Sequence, residues 1–362
     1  MNHYEQISAA LADQDLDAIL LTSAANRFYA SGFFIPEGDG VVLASRSGAC
    51  FFTDARYTEA AGRVLTGAEL LELTPERTLS AQLSEQIFLK GIRRLGFEEN
   101  HMTVQAYRRY EKLFAEGKPS CELVPAGALM AGLRRSKDPE ELASLEAAQR
   151  IAERALEDIL QEIRPGVTEK EIAARLQYLM LHYGASDMSF DPIVVSGVNG
   201  SLPHGVPSEK QIQAGEFVTM DFGCIYQGYC SDMTRTVAVG YASSEMWHVY
   251  QTVLEAQAAG IAAARAGVTG KAVDAAARDV IAAAGFGAYF THSFGHGVGV
   301  EIHEAPNASS RNEEPLPAGA VISAEPGIYI PGKLGVRIED VIVLTEDGCR
   351  NLTKAPKELL IL

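Results

Sequence analysis

The sequence is poor in tryptophan and cysteine and contains no long apolar run. One Trp and five Cys occur in 362 residues. The cysteine count is odd, the chain is long, and no pair has C-x-x-C spacing. Cys50, Cys121, Cys224, Cys230 and Cys349 are therefore expected as free thiols, not a disulfide framework. No apolar stretch approaches the roughly 18 residues of a membrane span. No basic segment followed by an apolar run opens the chain, so no signal peptide and a cytoplasmic location are expected. Positive charge is also short: 31 Lys and Arg face 47 Asp and Glu, a formal net charge of −16. That balance argues against nucleic acid and against an anionic membrane surface as partners. What remains is an ordinary globular composition, 47% hydrophobic and 22% charged, able to bury a core without staples. The length leads to an expectation of two domains.

Helical and strand patterns alternate over residues 1–132, expected as a smaller α/β domain with a mixed sheet. Residues 5–12 have helical periodicity, 17–22 read as a short buried strand, and 41–43 and 50–53 as two more across the turn Arg46-Ser47-Gly48. Helical stretches follow near 57–65, 78–89 and 103–115. The boundary falls within 133–139, and residues 133–362 are expected as the second domain. Asp138 is placed to cap a helix, with Pro139 at its first position and Glu140 and Glu141 at its positive end. That helix is expected to run to about Ile163, and Thr168-Glu169-Lys170-Glu171 is a capping box opening the next.

The second domain carries an internal repeat. Arg164-Pro165-Gly166-Val167-Thr168 is echoed by Arg265-Ala266-Gly267-Val268-Thr269, and His204-Gly205-Val206 by His296-Gly297-Val298. The strand 217–220 ending at Asp221 is echoed by 321–324 ending at Glu325, and Asp232 by Glu339. A unit this long is no solenoid repeat. It predicts two halves about a pseudo-twofold axis, with four carboxylates converging between them.

Asp232 stands eleven residues after Asp221, beyond a Gly228-Tyr229 turn, so a hairpin can bring the two acids together. Arg337 and Glu339 are two apart and are expected to share one face of a strand. Carboxylates inside apolar strands are costly unless paired or bound to metal, and four together would repel and take up protons. Divalent cations remove that conflict. Oxygen ligands with one histidine suit Mn²⁺, Co²⁺, Fe²⁺ or Zn²⁺ better than Ca²⁺. Two such ions about 3.5–4 Å apart make water a nucleophile near neutral pH. A single strand-end Asp is ordinarily a cap, and a single His among glycines ordinarily bonds backbone. Five ligand-type residues at matched places carry the metal reading instead. Gly295-His296-Gly297-Val298-Gly299 lacks dinucleotide-loop spacing. Its glycines are expected to let backbone approach metal or substrate closely.

These residues resemble the Xaa-Pro peptidases, the aminopeptidase P and prolidase group of the creatinase/methionine-aminopeptidase superfamily. The likeness covers essentially the whole chain. It is carried by Asn26–Phe33, Thr53–Tyr57, Met220-Asp221-Phe222-Gly223, Ser231–Thr236, His292–Gly299, Glu325-Pro326-Gly327-Ile328-Tyr329 and Gly335–Asp340. The resemblance implies an α+β fold: a pita-bread catalytic domain following a creatinase-like N-terminal domain. It implies that Asp221, Asp232, His296, Glu325 and Glu339 hold two divalent ions, with Mn²⁺ the family habit. Asp232 and Glu339 would bridge both ions, and Glu325 would shuttle a proton to the leaving imino nitrogen. His204 and His303 would stabilise the tetrahedral intermediate; a hydrogen bond from His303 to Glu304 is the plainer alternative. His292 and Arg337 would line the site, and Phe190 and Tyr329 its pocket. His3, His101, His182 and His248 match no motif. Creatinase lacks the ligands present here, methionine aminopeptidases usually lack the N-terminal domain, and non-catalytic relatives would have lost ligands. The substrate implied is a peptide with proline second; aminopeptidase P is expected, with prolidase the alternative. Prolidase needs a cation for the proline carboxylate, and Arg311 could be that cation or a solvated loop residue. A homodimer is expected, with the loop Phe33–Asp39 reaching across.

Overall fold

The computed structural model describes residues 2–117 and 120–362. It divides into two units, Met1–Arg134 and Arg135–Leu362.

The first unit runs α1 (Tyr4–Asp13), β1 (Ala18–Leu21), α2 (Ala24–Ser31), β2 (Gly40–Ser45), β3 (Gly48–Asp54), α3 (Thr58–Val64), β4 (Ala68–Leu73), α4 (Leu79–Leu89), β5 (Arg94–Phe97), α5 (Val104–Ala115), β6 (Glu122–Pro125) and α6 (Gly127–Arg134). The six strands lie in the order β4-β3-β2-β1-β5-β6. The β1–β2 and β2–β3 pairs are antiparallel and the rest parallel, so the sheet is mixed. Gly48, at φ +121°, closes the β2–β3 turn in a conformation other residues avoid. Ser23, Thr78 and Thr103 cap α2, α4 and α5 by accepting from free first-turn N–H groups. Leu20, Leu43, Phe52 and Leu95 of the sheet pack on Leu83 and Ile87 of α4 and Tyr110 and Phe114 of α5.

The second unit opens with α7 (Pro139–Ile159), α8 (Glu169–His182), β7 (Asp187–Met188), β8 (Ile193–Ser196), β9 (Phe217–Phe222), β10 (Cys224–Tyr226), β11 (Tyr229–Cys230) and β12 (Met233–Ala238). It continues with α9 (Ser244–Ala263), α10 (Gly270–Ala283), β13 (Gly295–Gly297), β14 (Glu304–Ala308), β15 (Val321–Ala324), β16 (Gly327–Ile330), β17 (Leu334–Arg337), β18 (Asp340–Leu344) and β19 (Cys349–Asn351). Asp138 and Glu141 complete a capping box at α7, and Thr168 and Glu171 another at α8. The helix expected to reach Ile163 stops at Ile159. Gln161 and Glu162 donate three residues back, to Asp158 and Ile159, and the following Arg164-Pro165 disfavours helix at residue 164.

The two halves repeat in their hydrogen bonds as well as in their residues. Gly166 and Gly267 both adopt positive φ, and they donate to Ile212 O and Leu316 O. Ile212 and Leu316 donate back to Val167 O and Val268 O. Gly215 and Gly319 donate to Val239 O and Leu344 O, each at the foot of an antiparallel pair. Those pairs are β9–β12 and β15–β18. Asp221 in β9 and Asp232 just before β12 therefore stand at the end of one pair, and Glu325 just after β15 and Glu339 just before β18 at the end of its repeat. One position departs from expectation: β17 ends at Arg337 and β18 begins at Asp340, so Glu339 shares no strand with Arg337. The chain passes between two sheets there, and the Glu339 N–H donates to Thr234 O at 3.1 Å.

Candidate active site

The pseudo-twofold brings the matched acids to one cavity of about 1200 Å³. Phe190, His204, Asp221, Asp232, His292, His296, His303, Glu325, Arg337 and Glu339 all line it. Tyr329 lies just behind, joined to the lining by hydrogen bonds. His3, His101, His182 and His248 are not among the lining residues.

Burial is deepest where charge is densest. Asp232 and Glu339 are only 3% and 1% exposed. Their carboxyls are pushed well above the usual range by burial first, and then by neighbouring carboxylates: Asp221 and Glu325 act on Asp232, and Asp232, Glu325 and Asp221 act on Glu339. Burial also raises Asp221, although Arg337 opposes the shift. Glu325 goes the other way. Burial would raise it, but the hydrogen bond and charge of His296 outweigh burial and bring it to about 2. Burial would likewise lower His296, yet Glu325 and Asp232 hold it up at about 9. His296 Nε2 is 3.2 Å from Glu325 Oε1 and 3.5 Å from Asp232 Oδ2.

The second layer is built from donors. Arg337 pairs with Asp221, and its Nη1 donates to the Tyr329 hydroxyl at 2.8 Å and to Pro203 O at 3.1 Å. Thr234 donates to Glu339 Oε2 at 2.7 Å and accepts from Arg337 Nε at 3.0 Å. Ser323 donates to Glu325 Oε1 at 3.0 Å and accepts from the His296 N–H at 2.9 Å. The sequence reading gave Thr234 and Ser323 no role. Thr234 lies inside the Ser231–Thr236 motif, where a hydroxyl two residues from an acid is the available signal. Arg278 was missed for a different reason: it is one turn from Asp274 on α10, in no motif. It pairs with Asp274 at 2.8 Å and donates to Phe290 O and His292 O, fastening the segment that carries His292.

Two local expectations change. Glu304 does not bond His303; it pairs with buried Lys137. The His303 ring meets the His296 ring edge-on instead, with centroids 4.2 Å apart. The glycines around His296 also serve strand contact. A side chain at Gly295 would collide with Ser323 O, one at Gly297 with Glu304 O, and one at Gly299 with the Glu304 carboxylate. Arg311 is exposed and lines the cavity.

The donor set fits a divalent metal on its own evidence. Asp221 Oδ1 and Glu339 Oε1 are buried and, among the described residues, have no hydrogen-bond partner. Leaving two carboxylate oxygens dry and unpaired is expensive unless a cation meets them. Asp232, His296 and Glu339 each offer a ligand atom, all within 4.8 Å of one another.

Comparison with known proteins agrees with this geometry. Residues 143–346 match metallopeptidase family M24, and residues 4–136 match the creatinase/prolidase N-terminal domain. The chain belongs to metallopeptidase family M24, and its fold is that of the creatinase/prolidase-like two-domain peptidases. An uncharacterized peptidase of Bacillus subtilis is 45% identical over 99% of each chain. The Xaa-Pro dipeptidase of Pyrococcus furiosus is 37% identical, over 98% of this chain and 99% of its own. Among solved structures, an Xaa-Pro dipeptidase from Bacillus anthracis matches with TM-score 0.93 and 43% identity over 99% of both chains. An X-Pro aminopeptidase from Thermotoga maritima matches with TM-score 0.92 and 36% identity over the full length of both. The protein is thus a peptidase of the hydrolase class. Among the described residues, no helix is long and apolar enough to cross a membrane.

Proposed function

We propose that this protein is a dinuclear metal-dependent exopeptidase that cuts between an N-terminal residue and a following proline. The observation that carries the reading is the convergence of Asp221, Asp232, Glu325 and Glu339 with His296 on one cavity, with the buried Asp221 Oδ1 and Glu339 Oε1 left for a cation. Asp221, Asp232, His296, Glu325 and Glu339 would hold the two ions. Mn²⁺ is the favoured ion on ligand hardness, with Co²⁺, Zn²⁺ and Fe²⁺ compatible with the same donors. Bound there, divalent ions supply Lewis acidity and lower the pKa of water.

The chain's own groups do the rest. Glu325 relays a proton toward the imino nitrogen of the leaving proline. His204 and His303 donate hydrogen bonds to the developing oxyanion, a contribution that grows in the transition state. Phe190 and Tyr329 frame the proline ring, and His292 positions Tyr329. Arg337 pins Asp221 and neutralises part of the acidic cluster. We further propose a cytoplasmic homodimer whose Phe33–Asp39 loop reaches its partner's cavity; full activity in a protein that sizes as a monomer would contradict it.

Removal of the first residue from longer peptides is the main reading. Restriction to dipeptides is favoured by one observation: Arg311 lines the cavity and can receive a proline carboxylate. Ala-Pro and Ala-Pro-Ala offered side by side separate the two. Cleavage of the tripeptide makes the enzyme an aminopeptidase and leaves Arg311 incidental. Cleavage of Ala-Pro alone, with a large rise in KM for Arg311→Ala, makes it a dipeptidase.

A further inference from the structure

Behind the carboxylates lies a buried polar network that the reaction does not use. Neighbouring residues on a strand point to opposite faces. Thr234 reaches Glu339 in the catalytic cavity, while Arg235 lines a separate cavity of about 370 Å³ on the other side of β12. Arg235 spends all five of its N–H donors there. Its Nη1 donates to Glu339 O at 2.5 Å and Thr234 O at 2.9 Å. Its Nη2 donates to Asp340 Oδ1 at 2.8 Å and Ala355 O at 2.7 Å, and its Nε to Pro356 O at 2.8 Å. Asp340 Oδ2 accepts from Asn351 Nδ2 at 2.6 Å and pairs with Lys357 Nζ at 2.8 Å. Lys357 Nζ continues to Gln257 Oε1 at 2.9 Å, and Gln257 Nε2 donates to Ala324 O at 3.2 Å and Ile338 O at 3.3 Å.

The carbonyls held this way are not scattered. Ala324 precedes Glu325, Ile338 precedes Glu339, and Glu339 contributes its own carbonyl. The network therefore grips the backbone on which two of the four carboxylates stand. It also crosses the pseudo-twofold: Arg235 comes from the first half, Asp340 from the second, and Lys357 from the C-terminal segment. Arg235 and Asp340 are 3% and 1% exposed. A buried ion pair of this kind contributes little net stability compared with apolar residues of the same size, so stability alone is a weak reason for it. Ligand carboxylates, by contrast, work only when held within about 0.5 Å of their productive position.

We propose that Arg235, Asp340, Lys357 and Gln257 are positioning residues that set the Glu325 and Glu339 carboxylates for metal binding. The inference rests on the metal-site reading above. It gives the C-terminal segment around Lys357 a part in the site although it never enters the cavity.

Arg235→Met removes too many bonds to be a clean test, because the protein could fail to fold. Lys357 is 28% exposed at its side chain, so Lys357→Met removes only its two bonds, to Asp340 and Gln257, at the edge of the network. Gln257→Leu cuts the next link. Three quantities are measured on the full chain: the Mn²⁺ dissociation constant by competition with a fluorescent chelator, the visible spectrum of the Co²⁺-loaded protein, and the Tm without metal. Each variant is expected to weaken Mn²⁺ binding by about 10–100-fold and to shift the Co²⁺ bands, the range typical of lost outer-shell partners. Lys357→Arg is expected to restore most of the affinity. Mn²⁺ affinity within twofold of wild type and an unchanged Co²⁺ spectrum would overturn the proposal, even if the metal-free Tm fell. Wild-type protein that takes up no divalent ion would overturn the metal reading, and this inference with it.

Discussion

The Tyr329 hydroxyl lies 2.9 Å from Nε2 of His292, and it is the donor in that bond. The direction follows from the partners. His292 Nδ1 faces Ser293 O at 2.9 Å, an oxygen that only accepts, so Nδ1 carries the hydrogen. Burial lowers the pKa of His292 despite the nearby Glu325 charge, so the ring is neutral and Nε2 is bare. Arg337 occupies the other side of the hydroxyl. Tyr329 thereby holds Arg337 in its pair with Asp221.

Tyr329→Phe is accordingly expected to lower kcat/KM by about 10–100-fold with little change in fold, as for other outer-shell partners of metal ligands. The ¹⁵N spectrum of wild-type protein at pH 7 should show His292 as the neutral Nδ1–H tautomer. An imidazolium signal there would contradict the hydrogen-bond direction.

Metal uptake at neutral pH should release protons. Without metal, Asp232 and Glu339 titrate well above the ordinary carboxylate range, and His296 titrates at about 9. All three must be deprotonated to act as ligands. Affinity should therefore climb with pH until His296 loses its proton near pH 9. Calorimetry in buffers of different ionisation heat measures the release directly. Heats independent of buffer would contradict the protonation pattern.

The metal-free protein should lose stability on the alkaline side. His296, raised from 6.5 to about 9, contributes stability that is complete below 6.5 and lost as pH rises through 9. Asp232 and Glu339 are raised too, so their contribution also declines as pH rises above the unfolded carboxylate range toward their folded values. Glu325, lowered from 4.5 to about 2, is lost only as pH falls through 2. The chelator-treated Tm is expected to be highest near pH 4.5 and to fall toward pH 9. Added Mn²⁺ should flatten that fall. A metal-free Tm that rises from pH 6.5 to 9 would contradict the sign.

Much of this was legible in the sequence because it was written twice. The repeat made Asp221, Asp232, Glu325, Glu339 and His296 stand out from ordinary strand-end acids, and capping chemistry marked the starts of α7 and α8. The remainder depended on pairings that no local pattern encodes. Thr234 meets Glu339 across 105 positions of chain, and Lys137 takes Glu304 away from His303 across 167. The break between β17 and β18 was hidden because Val336–Val343 is apolar at enough positions to read as one strand, whereas Glu339 bonds Thr234 instead.

The most direct test is the rate of N-terminal residue release from Ala-Pro-Ala, Ala-Pro and Ala-Ala-Ala. It is measured for stripped protein, Mn²⁺-reconstituted protein and reconstituted Asp232→Asn. Release should occur only from a proline-containing peptide, only with metal, and should fall by several orders of magnitude in Asp232→Asn together with Mn²⁺ binding. Full activity in Asp232→Asn, or no cleavage of either proline peptide with any divalent ion, would contradict a dinuclear Xaa-Pro peptidase.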